Sequence, residues 1–396
     1  MNFKIDEERL AAAFRELVAI NGPSFAERPV ADYLRAAFSE IGLEVEEDGS
    51  AAAIGGDCGN LLVRIPGADP DVPGLIVSSH LDTILPTERL EVVERDGVFF
   101  SRGDTILGAD NRAGVAVMLE IARGLAEGGE SPAPLELLFT VAEEKGLFGA
   151  KALRPGWLKG SLLYVLDSDG PVGKIVNGAP FGVRIAATVR GKAAHAGIDP
   201  ESGVNAVVIA ARAIAAMKLG RIDGVTTANI GTISGGQAQN IVPELVDAIG
   251  EVRSLKEKSL ARQVAHMEEC FRSAAAAAGG EVVFSSRSDY PGYFYPPGSP
   301  PLRLFGRALE RLGIAMETES SCGASDANII KGLGIDALVV SVGYLKPHSS
   351  EESLPRRELI NAARLVRELI LLSGSSRPSC ERKYNHRGTE NREELI

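Results

Sequence analysis

The sequence predicts an α/β protein, a doubly wound domain of three α/β/α layers interrupted by an inserted ferredoxin-like α+β unit. Two observations carry this expectation. Four short apolar runs, at residues 75–79 (LIVSS), 135–141 (LELLFTV), 162–166 (LLYVL) and 337–342 (ALVVSV), read as buried strands. Each stops at or just before a side chain able to bind a ligand: His80 and Asp82, Glu143 and Glu144, Asp167 to Asp169, and His348. In open α/β sheets that edge is where ligands collect. From Phe181 onward the texture changes to the order β-α-β-β-α-β over about 110 residues, the size of an independent unit.

Taken in order, residues 6–20 carry apolar positions at helical spacing. Ser24, with Glu27 three residues on, reads as a capping box before a second helix that ends near Gly42. Strands over 43–47 and 60–64 lead to the run at 75–79. There His80 and Asp82 share one side of an extended chain, so Asp82 can hold the ring of His80 while its other nitrogen binds a metal. Val115, Met118, Leu119 and Ala122 mark a helix face behind Asp110, a position that by itself suits a helix cap. Past Phe181, VRIAATV alternates like a half-buried strand. Residues 203–217 and 256–278 are helical, and 226–234, 245–253 and 281–286 extended. The prolines of YPGYFYPPGSPP suit a linker. Helices over 301–312, 326–333 and 355–372 resume the α/β pattern. The expected organisation is one domain from residues 1–177 and 291–374, an insertion at 178–290, and a polar, disordered tail at 375–396.

At 396 residues with 45% hydrophobic and 24% charged side chains, the chain can bury a sizeable core. A net charge of −11 and the lack of basic clusters interleaved with aromatics argue against nucleic acid as a partner. No segment reaches the roughly 20 apolar residues of a membrane span, and the first residues lack a signal-peptide core, so no membrane partner and a cytoplasmic location are expected. Cys58, Cys270, Cys322 and Cys380 are far apart and read as isolated thiols. His266 and His386 read as solvated bystanders.

Six motifs, taken together, have the order and spacing of one family: HLDT (80–83), GADNRAG (108–114), AEEKG (142–146), LDSDGPVG (166–173), GKAAHAG (191–197) and the late His348. The chain resembles the co-catalytic zinc metallopeptidases that include aminoacylase, carboxypeptidase G and peptidase T. GGQAQNIVPE (235–244), GEVRS (250–254) and CGASDAN (322–328) favour the peptidase T branch. The resemblance implies that the doubly wound part is a metallopeptidase domain and the insertion a lid and dimerisation domain, with a homodimer formed through it. It also implies that Asp110 bridges two metals, with His80 and Asp167 completing one site and Glu144 and His348 the other. Glu143 becomes the general base, and Asp82 the partner that orients His80. Asp167 is favoured over Asp169 by aligning the strand end with the family's Val-Asp-Gly pattern. A cis peptide bond is implied at Asp110-Asn111. His195 is implied to stabilise the oxyanion, and Asn240 and Arg253 to bind the substrate's carboxylate or backbone, across a dimer where the pairing allows. Asn111-Arg112 departs from the family's common Asp-Lys.

Imidazole plus carboxylate donors suit two zinc ions, with cobalt or manganese as alternatives, better than calcium or magnesium. The expected chemistry is hydrolysis of a peptide bond in short peptides, with N-terminal residues released from tripeptides. An N-acyl-amino-acid amidohydrolase on the same site is the alternative within enzymes, and a non-catalytic peptide-binding protein the one outside them.

Overall fold

The computed structural model describes residues 3–374 apart from 73, 85–86, 129–130 and 132. The tail expected to be disordered lies outside the described residues. Among these, the larger sheet has its four parallel strands side by side at the centre, in the order Leu135–Thr140, Leu75–His80, Leu162–Ser168 and Asp336–Ser341. Leu61–Ile65 and Val45–Glu47 extend it antiparallel on one side, and Lys174–Ala179 antiparallel on the other. Every residue of two adjacent parallel strands, Leu75–His80 and Leu135–Thr140, is buried. A strand covered on both faces reads as a continuous apolar run, so these were legible from hydropathy.

The helices that cover the sheet form two groups. Glu7–Ala19, Ala109–Gly128, Pro300–Leu312 and Arg356–Ser373 pack together, as do Ser50–Ile54, Phe148–Ala152 and Asp326–Gly332. Asp6 caps the first helix, accepting from the amides of Glu8 and Arg9. The capping box expected at Ser24 and Glu27 does not form: the helix Arg28–Glu40 carries Pro29 in its first turn and has no side-chain cap. Both polar groups are drawn into the interior instead, as described below. The presumed linker is also more structured than its prolines suggest. Tyr293–Phe294 pairs with Lys174–Ala179, and Tyr293 and Tyr295 are buried, because their rings join the main core.

The hairpin Glu91–Arg95 and Val98–Arg102, turning at Asp96-Gly97, joins Ser353–Pro355 in a small third sheet. Asp-Gly between extended runs is a strong hairpin signal, and Asp96-Gly97 joins these two strands.

Residues 181–290 form an antiparallel sheet in the order Gly220–Asp223, Thr226–Gly235, Leu245–Ser254, Phe181–Arg190, Glu281–Tyr290. The four longer strands have the ferredoxin-like order, and Gly220–Asp223 is an added hairpin strand. Helices Ala206–Ala216 and Glu257–Ala278 pack on the face that carries Ile185, Val189, Val246 and Val252, building a second core around Phe271 and Met267. The alternate residues Arg184, Ile249, Glu251 and Arg253 stand on the other face. His266 is no bystander, since its Nε2 accepts the amide of Lys218 at 3.1 Å and ties helix Glu257–Ala278 to the segment that follows Ala206–Ala216.

Because the two cores are separate, a cavity in one should report locally. Phe271→Ala is expected to cost about 3–5 kcal/mol. Urea denaturation followed by far-UV circular dichroism should show this loss, whereas fluorescence of the single Trp157, packed against the larger core, should shift less.

Candidate active site

The parallel central strands run in one direction, so the chemistry-bearing residues that follow them meet at one edge of the sheet. His80 ends its strand almost fully buried. Its Nε2 lies 3.1 Å from Asp110 Oδ1 and 3.4 Å from Asp167 Oδ1. On the other side of the ring, Nδ1 lies 3.0 Å from the carbonyl oxygen of Asp82 and 3.3 Å from its carboxylate. Asp82 therefore holds the ring through both its backbone and its side chain.

Asp110 stands at the start of Ala109–Gly128, but its backbone and that of Asn111 are not helical, and the Asp110-Asn111 peptide bond is cis. The carboxylate does not cap the helix. It is directed to two imidazoles, with Oδ2 3.2 Å from His348 Nε2. His348 also lies 3.0 Å from Glu144 Oε1. Two triads result, His80–Asp110–Asp167 and Asp110–Glu144–His348, and the donor atoms of each lie within 4.8 Å of one another. Nitrogen and carboxylate donors converging in this way fit two transition-metal ions that share Asp110. Asp169 turns away to pair with Lys174 at 2.8 Å, so Asp167 is the aspartate that reaches the cluster. Asn111 Nδ2 donates to Asp167 at 3.1 Å and the Tyr344 hydroxyl lies 3.4 Å away, which fixes the rotamer of Asp167.

Glu143 and Glu144 follow Ala142, whose φ of +49° starts a tight turn. The fully buried Asp82 holds that turn, accepting from the amide of Glu143 with Oδ1 and from that of Glu144 with Oδ2, both at 3.1 Å. Ser24 Oγ donates to the same Oδ2 at 2.7 Å. Glu27 Oε1 accepts the amide of Ala142 at 2.8 Å. Ser24 and Glu27 are thus functional supports that the sequence reading missed, because their spacing imitates a cap. Arg112 is part of the Asn111-Arg112 departure from the family's common Asp-Lys. It is completely buried, spans back to the carbonyl of Gly22 at 3.3 Å, and places a positive charge near Asp82 and Glu27.

The electrostatics follow from burying many carboxylates together. Burial, with Asp167 close by, pushes Glu143 well above the usual carboxylate range. Burial lifts Asp167 to about 7 against the opposing pull of His80. Burial would lift Asp110 too, but hydrogen bonds from His348 and His80 more than offset it and hold it below the usual range. Conversely, burial would depress His80, yet Asp110, Asp167 and Asp82 raise it well above 6.5. Hydrogen bonds to Asp110 and then Glu144 push His348 up to about 10. Such a cluster favours added positive charge, whether protons or metal ions.

The cluster opens on a cleft of about 570 Å³ walled on one side by Glu143, Glu144, Lys145 and His348, and on the other by the open sheet face of the insertion. Arg253 stands on that far wall, its Nη2 on Glu251 at 3.0 Å and its buried Nε without a partner. His195 and Asn240 do not line this cleft. They sit together elsewhere on the insertion, where His195 bridges to Ile241 and the Asn240 carbonyl accepts the amide of Ala196 at 2.9 Å. His195 is exposed.

Comparison with known proteins adds the following. The M20 peptidase dimerisation domain matches residues 182–278 and peptidase family M28 matches residues 60–171. Aminopeptidase PepT from Bacillus cereus is 40% identical, with 94% of this chain and 100% of that one covered and a TM-score of 0.84. A tripeptidase from Staphylococcus aureus is 36% identical over the same shares, with a TM-score of 0.86. The uncharacterized protein YqjE of Bacillus subtilis is 38% identical over 92% of this chain and 98% of its own length. Among the described residues no helix is long and apolar enough to cross a membrane.

The histidine shift predicts a pH dependence for the chelator-treated protein. Folded His348 holds its proton more tightly than an unfolded histidine, so its stabilisation is complete below about 6.5 and is lost as pH rises towards about 10. Thermal melting of metal-free wild type should therefore fall across that window, and His348→Ala should flatten part of the fall. Identical slopes would count against the His348 contacts.

Proposed function

The chain belongs to the M20 peptidase family, and from that premise we propose that it is a zinc-dependent aminopeptidase releasing the N-terminal residue of tripeptides in the cytoplasm. The observation that carries this reading is the pair of donor triads sharing Asp110 beside the buried carboxyl of Glu143. The similarity of this chain, over the whole length of each, to a PepT aminopeptidase and a tripeptidase supports the choice of substrate.

In this proposal His80, Asp110 and Asp167 hold one ion and Asp110, Glu144 and His348 the other. Bound zinc supplies Lewis acidity towards the scissile carbonyl and lowers the pKa of a water. The chain does the rest. Glu143, held in place by the Asp82 contact to its amide, takes the proton of the attacking water and passes it to the leaving amine. A carboxyl raised by burial suits both halves of that transfer. Arg253, whose side chain lines the cleft, receives the substrate's carboxylate by charge-assisted hydrogen bonds. His195 and Asn240 reach the cleft of a second copy in a homodimer made through the insertion, where His195 steadies the developing oxyanion. Their distance from this chain's own cleft, together with the dimerisation-domain match, supports a role in trans.

Zinc-loaded protein incubated with di-, tri- and tetrapeptides and N-acyl amino acids should release N-terminal residues from tripeptides, read by mass spectrometry. Release of acyl groups alone would identify an amidohydrolase instead. Glu143→Ala should lower kcat by about 10²–10⁴-fold with bound metal unchanged, whereas Asp110→Ala should lose metal and turnover together. Co-expressed Glu143→Ala and His195→Ala chains should regain activity that neither has alone. Failure of this complementation would reject the role in trans.

A further inference from the structure

The loop that carries His348 is closed at its base by mutual backbone hydrogen bonds between Leu345 and Ser353, at 2.8 and 3.1 Å. His348 sits at its tip with a positive φ of 63°. Glu352, four residues beyond His348, does not follow it to the surface. Its side chain is 1% exposed and turns into the start of Ala109–Gly128. There Oε2 accepts the amide of Gly108 at 2.7 Å and Oε1 accepts the amide of Asp110 itself at 2.9 Å. Both oxygens of one buried carboxylate are thus spent on the backbone that aims the bridging aspartate. The next residues, Ser353–Pro355, are pinned as a strand against Val98–Arg102, so the carboxylate is mounted on a rigid support.

We propose that Glu352 is a positioning residue that sets the geometry of both metal sites at once. It acts through Asp110, whose two oxygens serve different triads, and it couples the Asp110 segment to the loop bearing His348. The inference rests on the reading of these residues as metal ligands. A shift of the Asp110 backbone moves a donor of each ion, so loss of the clamp should weaken both binding steps. Removal of an ordinary ligand such as His348 should weaken mainly one. Groups that orient ligands commonly contribute 10–100-fold to metal affinity when removed. Glutamine has the shape of Glu352, but its NH₂ group would face one of the two amide donors, so E352Q removes half of the clamp without opening a cavity. E352D keeps the charge and shortens the reach.

The test is titration of full-length, chelator-treated protein with Co²⁺, followed by visible absorption, alongside the melting of the metal-free forms. E352Q should melt near the wild type yet bind both equivalents of Co²⁺ about 10–100-fold more weakly, with E352D intermediate and His348→Ala impaired mainly in one equivalent. Wild-type affinity in E352Q, or weakening of a single step, overturns the proposal. If E352Q does not fold, E352D is judged by the same criterion. Asp110→Asn separates the two levels of the reading. If it too binds both equivalents like the wild type, the metal centre has been misassigned; if it loses both while E352Q loses neither, only the role of Glu352 fails.

Discussion

Asp110 presents one oxygen to His80 and the other to His348, and the rest of the structure is arranged so that this can happen inside a protein. A carboxylate in a buried setting is costly unless it is paired and hydrogen-bonded. Here the pairing reaches outward in layers. Two imidazoles face the bridge, and Asp167 and Glu144 face the imidazoles. Glu352 and Ser79 fix the backbone on either side of the cis bond, Glu352 at the amides of Gly108 and Asp110 and Ser79 at the carbonyl of Asn111.

Asp82 is the second hub, and its economy is instructive. One buried side chain meets the ring of His80, the amides of Glu143 and Glu144, and the hydroxyl of Ser24. It therefore links His80 to the loop that supplies both Glu144 and the proposed base Glu143. Backbone amides are well suited to this task, since they donate without changing charge and cannot swing away. Glu27 repeats the device one residue earlier, at Ala142. The buried Arg112 brings a compensating positive charge: burial lowers its pKa, and Asp82 and Glu27 oppose that effect.

The inserted unit contributes differently. Its central strand Leu245–Ser254 alternates, so one face is committed to a core with the two helices and the other is left open. That open face is what the cluster around Asp110 looks onto, and it carries Arg253 and Glu251 at the spacing of two residues that keeps them on the same side. A sheet wall opposite a sheet edge encloses a cleft of about 570 Å³. The hairpin at residues 91–102 has a less visible part, as the support against which the segment following His348 is laid.

The sequence by itself determined the layered fold, the interruption by a ferredoxin-like unit, and the set of ligand-type residues. All three are written in local signals: continuous apolar runs for strands buried on both faces, alternation for strands with one open face, and motifs placed just past strand ends. Asp167 could be preferred to Asp169 only by pattern, and the structure separates them because Asp169 is claimed by Lys174. What only the tertiary structure decided are the supports. Ser24 and Glu27 look like a helix cap, and Glu352 lies in a run, SSEE, that resembles a solvated turn. Their partners are 58, 115 and more than 240 residues away, and no local periodicity encodes such a contact. The separation of His195 and Asn240 from the cleft belongs to the same class. A motif records which side chain is present, whereas which surface it faces is set by how whole elements pack.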